Sequence, residues 1–290
     1  MKIKIIIAFI KLTSLFSLKL ARNVGKVVGY CAYLTNSNLY KTSLCNLHLC
    51  FPELGVRERK NLARNSMMHT GMMLAECGPV WFWPAEKVML EVDNIEGVEL
   101  LQNARAAGKG VILIGPHHGN WELMSLYLST LGECSQLYKA PKYKDLDALL
   151  FKARSRGNAK MYPANSKGVI AMLGALKKSE MIAIMPDQVP RPSAGNFVPF
   201  FGNDAYTMTL ISRLIQKTGA RAFLAYAKRT GKGFNIVIKE PHKDIYAEHM
   251  PTSLLGLSKT VEIAVKDAPE QYQWEYKRFR YLPGGKQEPY

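Results

Sequence analysis

Between residues 109 and 240, short runs of β-prone apolar residues alternate with stretches whose apolar residues recur at helical spacing, and this alternation restricts the fold more than any other feature. VILIG at 111–115 and MIAIM at 181–185 are continuous apolar runs, as expected of strands covered on both faces. WELMSLYLSTLG, DLDALLFKARSR and VIAMLGALKK carry the helical pattern between and beside them. The prediction is α/β: a mixed, mainly parallel central sheet flanked by helices. SQLYKAP, ARAFLAYAKR and GFNIVIKE read as further strands, and the alternation in the last suggests a more exposed antiparallel end. Residues 36–83 are a helical front section divided at Phe51-Pro52. No linker or repeat interrupts the chain, so 35–290 reads as one domain, and its polar, turn-rich tail is expected to fray.

The first 34 residues read as a separate, amphipathic membrane-anchoring segment. On one continuous helix, at about 100° per residue, Lys4, Lys11, Lys19, Arg22 and Lys26 share an arc of roughly 80°, away from Ile5, Phe9, Leu12, Phe16 and Leu20. A basic stripe beside an aliphatic side suits a membrane surface, where ammonium groups meet lipid phosphates. Lysine snorkelling leaves a single spanning anchor open, and a helix packed on its own domain shows similar faces.

Thirty-nine Lys and Arg against 23 Asp and Glu give a net charge of +16, so the partners should be anionic. The balance names a sign and no molecule. Nucleic acid is disfavoured because no recognition motif accompanies the charge. The five cysteines are odd in number and scattered, which fits reduced, mostly buried thiols.

The sharpest local pattern is Ile114-Gly115-Pro116-His117-His118-Gly119-Asn120-Trp121-Glu122, where a strand ends and a helix begins. Ligands bind at such strand ends in α/β sheets. Gly119 permits a tight turn, Asn120 can cap the helix, and Glu122 falls in its first turn. Across that bend His117 and Glu122 can meet, the carboxylate fixing the tautomer and leaving the other ring nitrogen as a base. The same spacing also describes a loop histidine and an ordinary helix-start carboxylate. A metal is not expected: H-E-x-x-H is absent and no nearby Cys or Asp completes a ligand set. Nor is there a G-x-S-x-G elbow, a phosphate loop or a G-x-G-x-x-G fingerprint.

With these residues in view, the chain resembles the lipid A biosynthesis acyltransferases, the His-x4-Asp/Glu enzymes related to glycerolipid acyltransferases. Besides His117 to Glu122, the resemblance rests on NLHLCFPEL near residue 50, RSRG at 154–157, PDQ at 186–188, VPFFG at 198–202 and PEQYQW at 269–274. It implies transfer of a fatty acyl group from acyl carrier protein to a hydroxyl of a lipid A precursor, at the cytoplasmic face of the bacterial inner membrane, with no metal or organic cofactor. The three implied partners, acyl carrier protein, the precursor and the anionic leaflet, are all acidic. A related enzyme for another glycolipid or glycerolipid, and a non-catalytic lipid-binding protein of the same fold, are the alternatives.

The resemblance also assigns roles. His117 and Glu122 are the expected catalytic pair. Arg154, Arg156, Asp187 and Gln188 are expected to hold substrate. The oxyanion candidates are Arg156 and the backbone N–H groups of Gly119 and Asn120. Phe200 and Phe201 are candidates for lining an acyl channel, although core aromatics would look the same.

Overall fold

A computed structural model describes residues 2–285 and 287–290; Met1 of the expected anchor and Lys286 of the tail lie outside the described residues. The chain opens with five helices, α1 (Lys2–Thr13), α2 (Leu18–Leu34), α3 (Asn38–Cys50), α4 (Val56–Phe82) and α5 (Ala85–Met89). There follow β1 (Val92–Glu96), α6 (Val98–Ala106), β2 (Val111–Ile114), α7 (Trp121–Thr130), β3 (Cys134–Tyr138), α8 (Lys144–Arg154), β4 (Ala159–Pro163), α9 (Ser166–Lys177) and β5 (Met181–Ile184). The hairpin β6 (Gly195–Phe200) and β7 (Asn203–Met208), then α10 (Leu210–Thr218), β8 (Arg221–Arg229), β9 (Phe234–Lys239) and α11 (Met250–Asp267) complete it.

Seven strands form the main sheet in the order β1-β9-β8-β2-β5-β3-β4. Among the described residues only β8 and β9 pair antiparallel within it. The continuous apolar runs have a direct reason. Val111 and Leu113 of β2 enter a core with α6 and α7, while Ile112 and Ile114 enter another with α9, α10 and α11. The expected exposure at the antiparallel end is not found: parallel β1 covers β9, and Phe234, Ile236, Val237 and Ile238 are buried.

The amino-terminal segment is two helices rather than one. Ser17 caps α2 by accepting from the Leu20 N–H after a turn at 14–17. α2 then lies against α4 with almost no separation. A Cβ on Gly25 would stand 2.4 Å from the Gly71 carbonyl oxygen, and one on Gly29 2.0 Å from that of Met67. Arg22 leaves the expected basic stripe and is buried, its Nε 2.7 Å from Glu76 Oε1. Lys4, Lys11, Lys19 and Lys26 stay exposed beside Ile5, Leu12, Leu15, Leu20 and Val27, Leu15 being 79% exposed. Among the described residues no helix is long and apolar enough to cross a membrane.

The tail is anchored rather than frayed. Tyr272, Trp274 and Phe279 are buried with Phe200 in a third core, and the Tyr290 hydroxyl donates to Asn46 Oδ1 at 2.5 Å. Phe200 and Phe201 therefore belong to that aromatic core, where they contact Trp274, Tyr272 and Phe279, and neither lines the cavity at the strand ends. All five cysteines are free.

Candidate active site

A cavity of about 690 Å³ opens at the carboxyl ends of β2, β5 and β3, where the order of the sheet places its central crevice. His117, Trp121, Glu122, Arg154 and Gln188 line it together with apolar residues of the strands and helices. The loop that delivers His117 is fixed from several sides. Gly119 has φ +59°, and a Cβ there would stand 2.0 Å from the Ala227 carbonyl oxygen, so only glycine fits the approach to β8. Asn120 caps α7, its Oδ1 accepting from the Leu123 N–H at 2.8 Å while its Nδ2 donates to Glu76 Oε2 at 2.9 Å.

His117 is 14% exposed at the side chain, and its ring partner is Asp187 rather than Glu122. Nδ1 lies 2.8 Å from Asp187 Oδ1, and the His117 backbone N–H donates to Oδ2 at 2.8 Å. The register explains the meeting. Ile114 of β2 stands opposite Ile184 of β5, and His117 and Asp187 each lie three residues beyond, still side by side. Burial pushes the Asp187 carboxyl up, but the charge and hydrogen bonds of His117 outweigh it and hold it below the usual carboxylate range. An ionised Asp187 accepts the Nδ1 proton and leaves Nε2 with a lone pair. Gln188 Nε2 sits 3.2 Å from that nitrogen and donates to Gln273 Oε1, also at 3.2 Å.

Glu122 shares the cavity but has different partners. Arg154, the last residue of α8, grips it through Nε at 3.0 Å and through Nη2, and the Trp81 indole N–H donates to it at 3.1 Å. Burial raises the Glu122 carboxyl, yet Arg154, joined by Trp81, pulls it below its ordinary value. The expected direct His117–Glu122 contact is thus replaced by two adjacent ion pairs, His117–Asp187 and Glu122–Arg154. The bend brings both residues to one cavity while stronger donors engage Glu122.

The oxyanion candidates do not hold. The N–H of Gly119 donates to the Gln271 carbonyl at 3.0 Å and that of Asn120 to Ala227 at 2.8 Å, leaving neither for a ligand. Arg156 lies outside the lining of this cavity and binds the carbonyls of Val80 and Trp83 at the end of α4, away from the place expected for a substrate-binding or oxyanion group. Sequence reasoning missed Trp81 and Gln273. PEQYQW was legible as a landmark, but nothing in it signals that the Gln273 N–H donates to the His117 carbonyl at 3.0 Å. His118, adjacent to the base, is fully buried against Tyr226.

Comparison with known proteins adds the chemistry. The family described as bacterial lipid A biosynthesis acyltransferase matches residues 2–281. A lipid A biosynthesis lauroyltransferase of Escherichia coli K12 is 31% identical over 243 residues, covering 83% of this chain and 78% of that protein. A lipid A biosynthesis palmitoleoyltransferase of the same organism is 28% identical over 249 residues, covering 84% and 80% respectively. A lipid A biosynthesis myristoyltransferase, also from that organism, is 24% identical over 253 residues, covering 86% and 78%.

Proposed function

Because the chain belongs to the bacterial lipid A biosynthesis acyltransferases, we propose that it moves a fatty acyl chain from acyl carrier protein to a hydroxyl of a lipid A precursor, with His117 as the general base. The carrying observation is the His117–Asp187 pair at the edge of a large, mainly apolar cavity. Asp187 holds the ring so that Nε2 takes the hydroxyl proton while the alkoxide oxygen attacks the thioester carbonyl, and it stabilises the imidazolium that forms. As the tetrahedral intermediate collapses, the new C–O bond is kept and the C–S bond breaks. The carrier thiolate then takes the proton from His117. Gln188 Nε2, 3.2 Å from His117 Nε2 and from Gln273 Oε1, marks the place on the base that the acceptor hydroxyl takes over as it binds.

Glu122 acts through Arg154, fixing the guanidinium at the cavity wall. Lys139, Arg191 and Arg280, exposed at the rim, suit phosphates of the acceptor or an acidic carrier surface. The exposed lysines and aliphatic residues of α1 and α2 support a monotopic seat on the cytoplasmic face of the inner membrane.

The test incubates purified protein with acyl carrier protein carrying a labelled chain and with a lipid A precursor, and follows the mass of the acceptor. One acyl chain is gained, and His117→Ala abolishes the gain without lowering Tm by more than a few degrees. An unchanged acceptor, or normal turnover by His117→Ala, overturns the reading.

A further inference from the structure

Two of the sequence landmarks, NLHLCFPEL at 46–54 and PEQYQW at 269–274, supply no group that touches the reacting atoms, yet they meet behind the base. The main sheet stops short of the site. Its last ladder bond between β2 and β5 runs from the Gly115 N–H to the Ile184 carbonyl at 3.1 Å. Pro116 and Pro186 follow, and neither has an N–H to carry the ladder further. Among the described residues no later main-chain bond joins the two segments. Beyond the ladder, His117 and Asp187 are linked directly through the Asp187 carboxylate alone.

Residues 271–276 take over where the ladder ends. Against the first segment they run antiparallel, with His118 opposite Tyr272. The Gly119 N–H donates to the Gln271 carbonyl and the Gln273 N–H to the His117 carbonyl, both at 3.0 Å. Against the second segment, Gln273 Oε1 accepts from Gln188 Nε2 at 3.2 Å and the Tyr276 hydroxyl accepts from the Val189 N–H at 2.9 Å. One strap thus grips the chain at the base and just past its acid partner. The strap is held in turn from behind by Asn46 of α3, which is 1% exposed. Asn46 Nδ2 donates to the carbonyls of Trp274 at 2.6 Å and Tyr276 at 2.8 Å, while its Oδ1 accepts from the Tyr290 hydroxyl. Neither Asn46 nor Tyr276 lines the cavity.

We propose that this strap sets the spacing of His117 and Asp187, with Tyr276 as a positioning residue that acts through Val189 and Asn46 as one that acts through the strap. The inference rests on the acyl-transfer reading for the reaction it serves. A displacement of about 1 Å at a reacting group costs roughly 10²-fold in rate, so one bond lost from the strap reaches kcat without touching the affinity for substrate.

Tyr276→Phe removes one oxygen, keeps the ring and leaves the Val189 N–H without its acceptor. Its kcat for acyl transfer should fall by about 10- to 100-fold with KM for donor and acceptor unchanged, and Asn46→Ala should show the same split. Tyr246→Phe is the matched control. That hydroxyl bonds the Ala222 backbone of β8 at 3.0 and 3.1 Å, outside the cavity lining, and its loss should lower Tm while kcat stays at the wild-type value. Magnetic resonance of isotope-labelled histidine reads the pair itself. The Nδ1 proton shared with Asp187, identified among the six histidines by its absence from His117→Ala, should be sharp and low-field in the wild type and in Tyr246→Phe. In Tyr276→Phe and Asn46→Ala it should move upfield or broaden. The resonance needs neither donor nor acceptor, so its change in a protein that transfers no acyl chain would sink the acyl-transfer reading and keep the strap. Wild-type kcat or an unaltered resonance in Tyr276→Phe overturns the inference, as does an equal fall of kcat in Tyr246→Phe.

Discussion

At the residue scale, two buried carboxylates stand close to one imidazole and do different work. Asp187 accepts the Nδ1 proton of His117, whereas Glu122 compensates a guanidinium. The difference is testable by pairing two substitutions. Asp187→Asn keeps the shape but presents an amide N–H2 to Nδ1, which drives the ring proton to Nε2 and removes the base, so kcat should fall by about 10³- to 10⁴-fold with little change in Tm. Glu122→Ala instead leaves Arg154 without its partner in a largely buried setting, and should cost about 3–5 kcal/mol of stability, read by chemical denaturation, as well as activity. Arg154→Lys should rescue poorly because a single ammonium cannot reproduce the two-point grip. The His-x4-Glu spacing made both residues legible, since a strand end followed by a capped helix is written in Gly119 and Asn120. It could not say which acid faces the ring, because that depends on the register between β2 and β5, and register is a relation between distant segments.

At the scale of elements, legibility followed burial. β2 and β5 are covered on both faces and announce themselves as apolar runs, while β1 and β4 are mostly exposed or half-buried edge strands whose sequences, VDNIE and AKMYP, carry no such signal. The β6–β7 hairpin is hidden for another reason: its buried residues, among them Val198, Phe200 and Ala205, lie among glycine, proline and polar positions. The amphipathic pattern of the first 34 residues is equally compatible with lipid and with protein, and glycine decides where α2 packs. A Cβ on Gly71 would stand 2.1 Å from the Gly25 carbonyl oxygen, backbone that cannot yield without moving the helix. Gly71→Ala should therefore part α2 from α4, loosen Arg22 from Glu76, and cost about 1–3 kcal/mol despite the better helix propensity of alanine. Gly174→Ala in α9, where a Cβ would meet nothing within 4 Å, is the control and should stabilise by about 0.5–1 kcal/mol. Paired thermal melts distinguish the two; a stabilised Gly71→Ala would mean that α2 is not packed as described.

At the scale of the whole molecule, α2, α4, the His117 loop and β8 converge on a buried polar centre. Glu76 there accepts from Arg22, Asn120 and Arg229 at 2.7–2.9 Å. His118 and His69 lie near it, and burial, reinforced by the Arg229 charge, pushes each ring down to about 3. The folded state thus keeps both neutral where the unfolded chain, titrating near 6.5, takes up protons. Their contribution to stability is complete above pH 6.5 and is lost progressively as pH falls from 6.5 toward 3, by about 2 kcal/mol for each ring between pH 7 and pH 5. Asp187 and Glu122 have the same sign in a lower window: their carboxyls sit below the ordinary values of 3.8 and 4.5, so their stabilisation erodes only at more acid pH. Glu275 works in the opposite direction, because burial raises its carboxyl and the folded state gains relative stability as it protonates. A single variant isolates one histidine from this mixture. Both ring nitrogens of His118 lack hydrogen-bond partners and its ring stands edge-on to Tyr226, so His118→Phe keeps the aromatic contact and removes the titration. Denaturation at pH 7 and pH 5 should show the wild-type protein losing about 2 kcal/mol more than the variant over that interval. Equal losses would mean that the His118 ring takes up its proton in the folded protein as readily as in the unfolded chain, against the downward push of its burial and of Arg229.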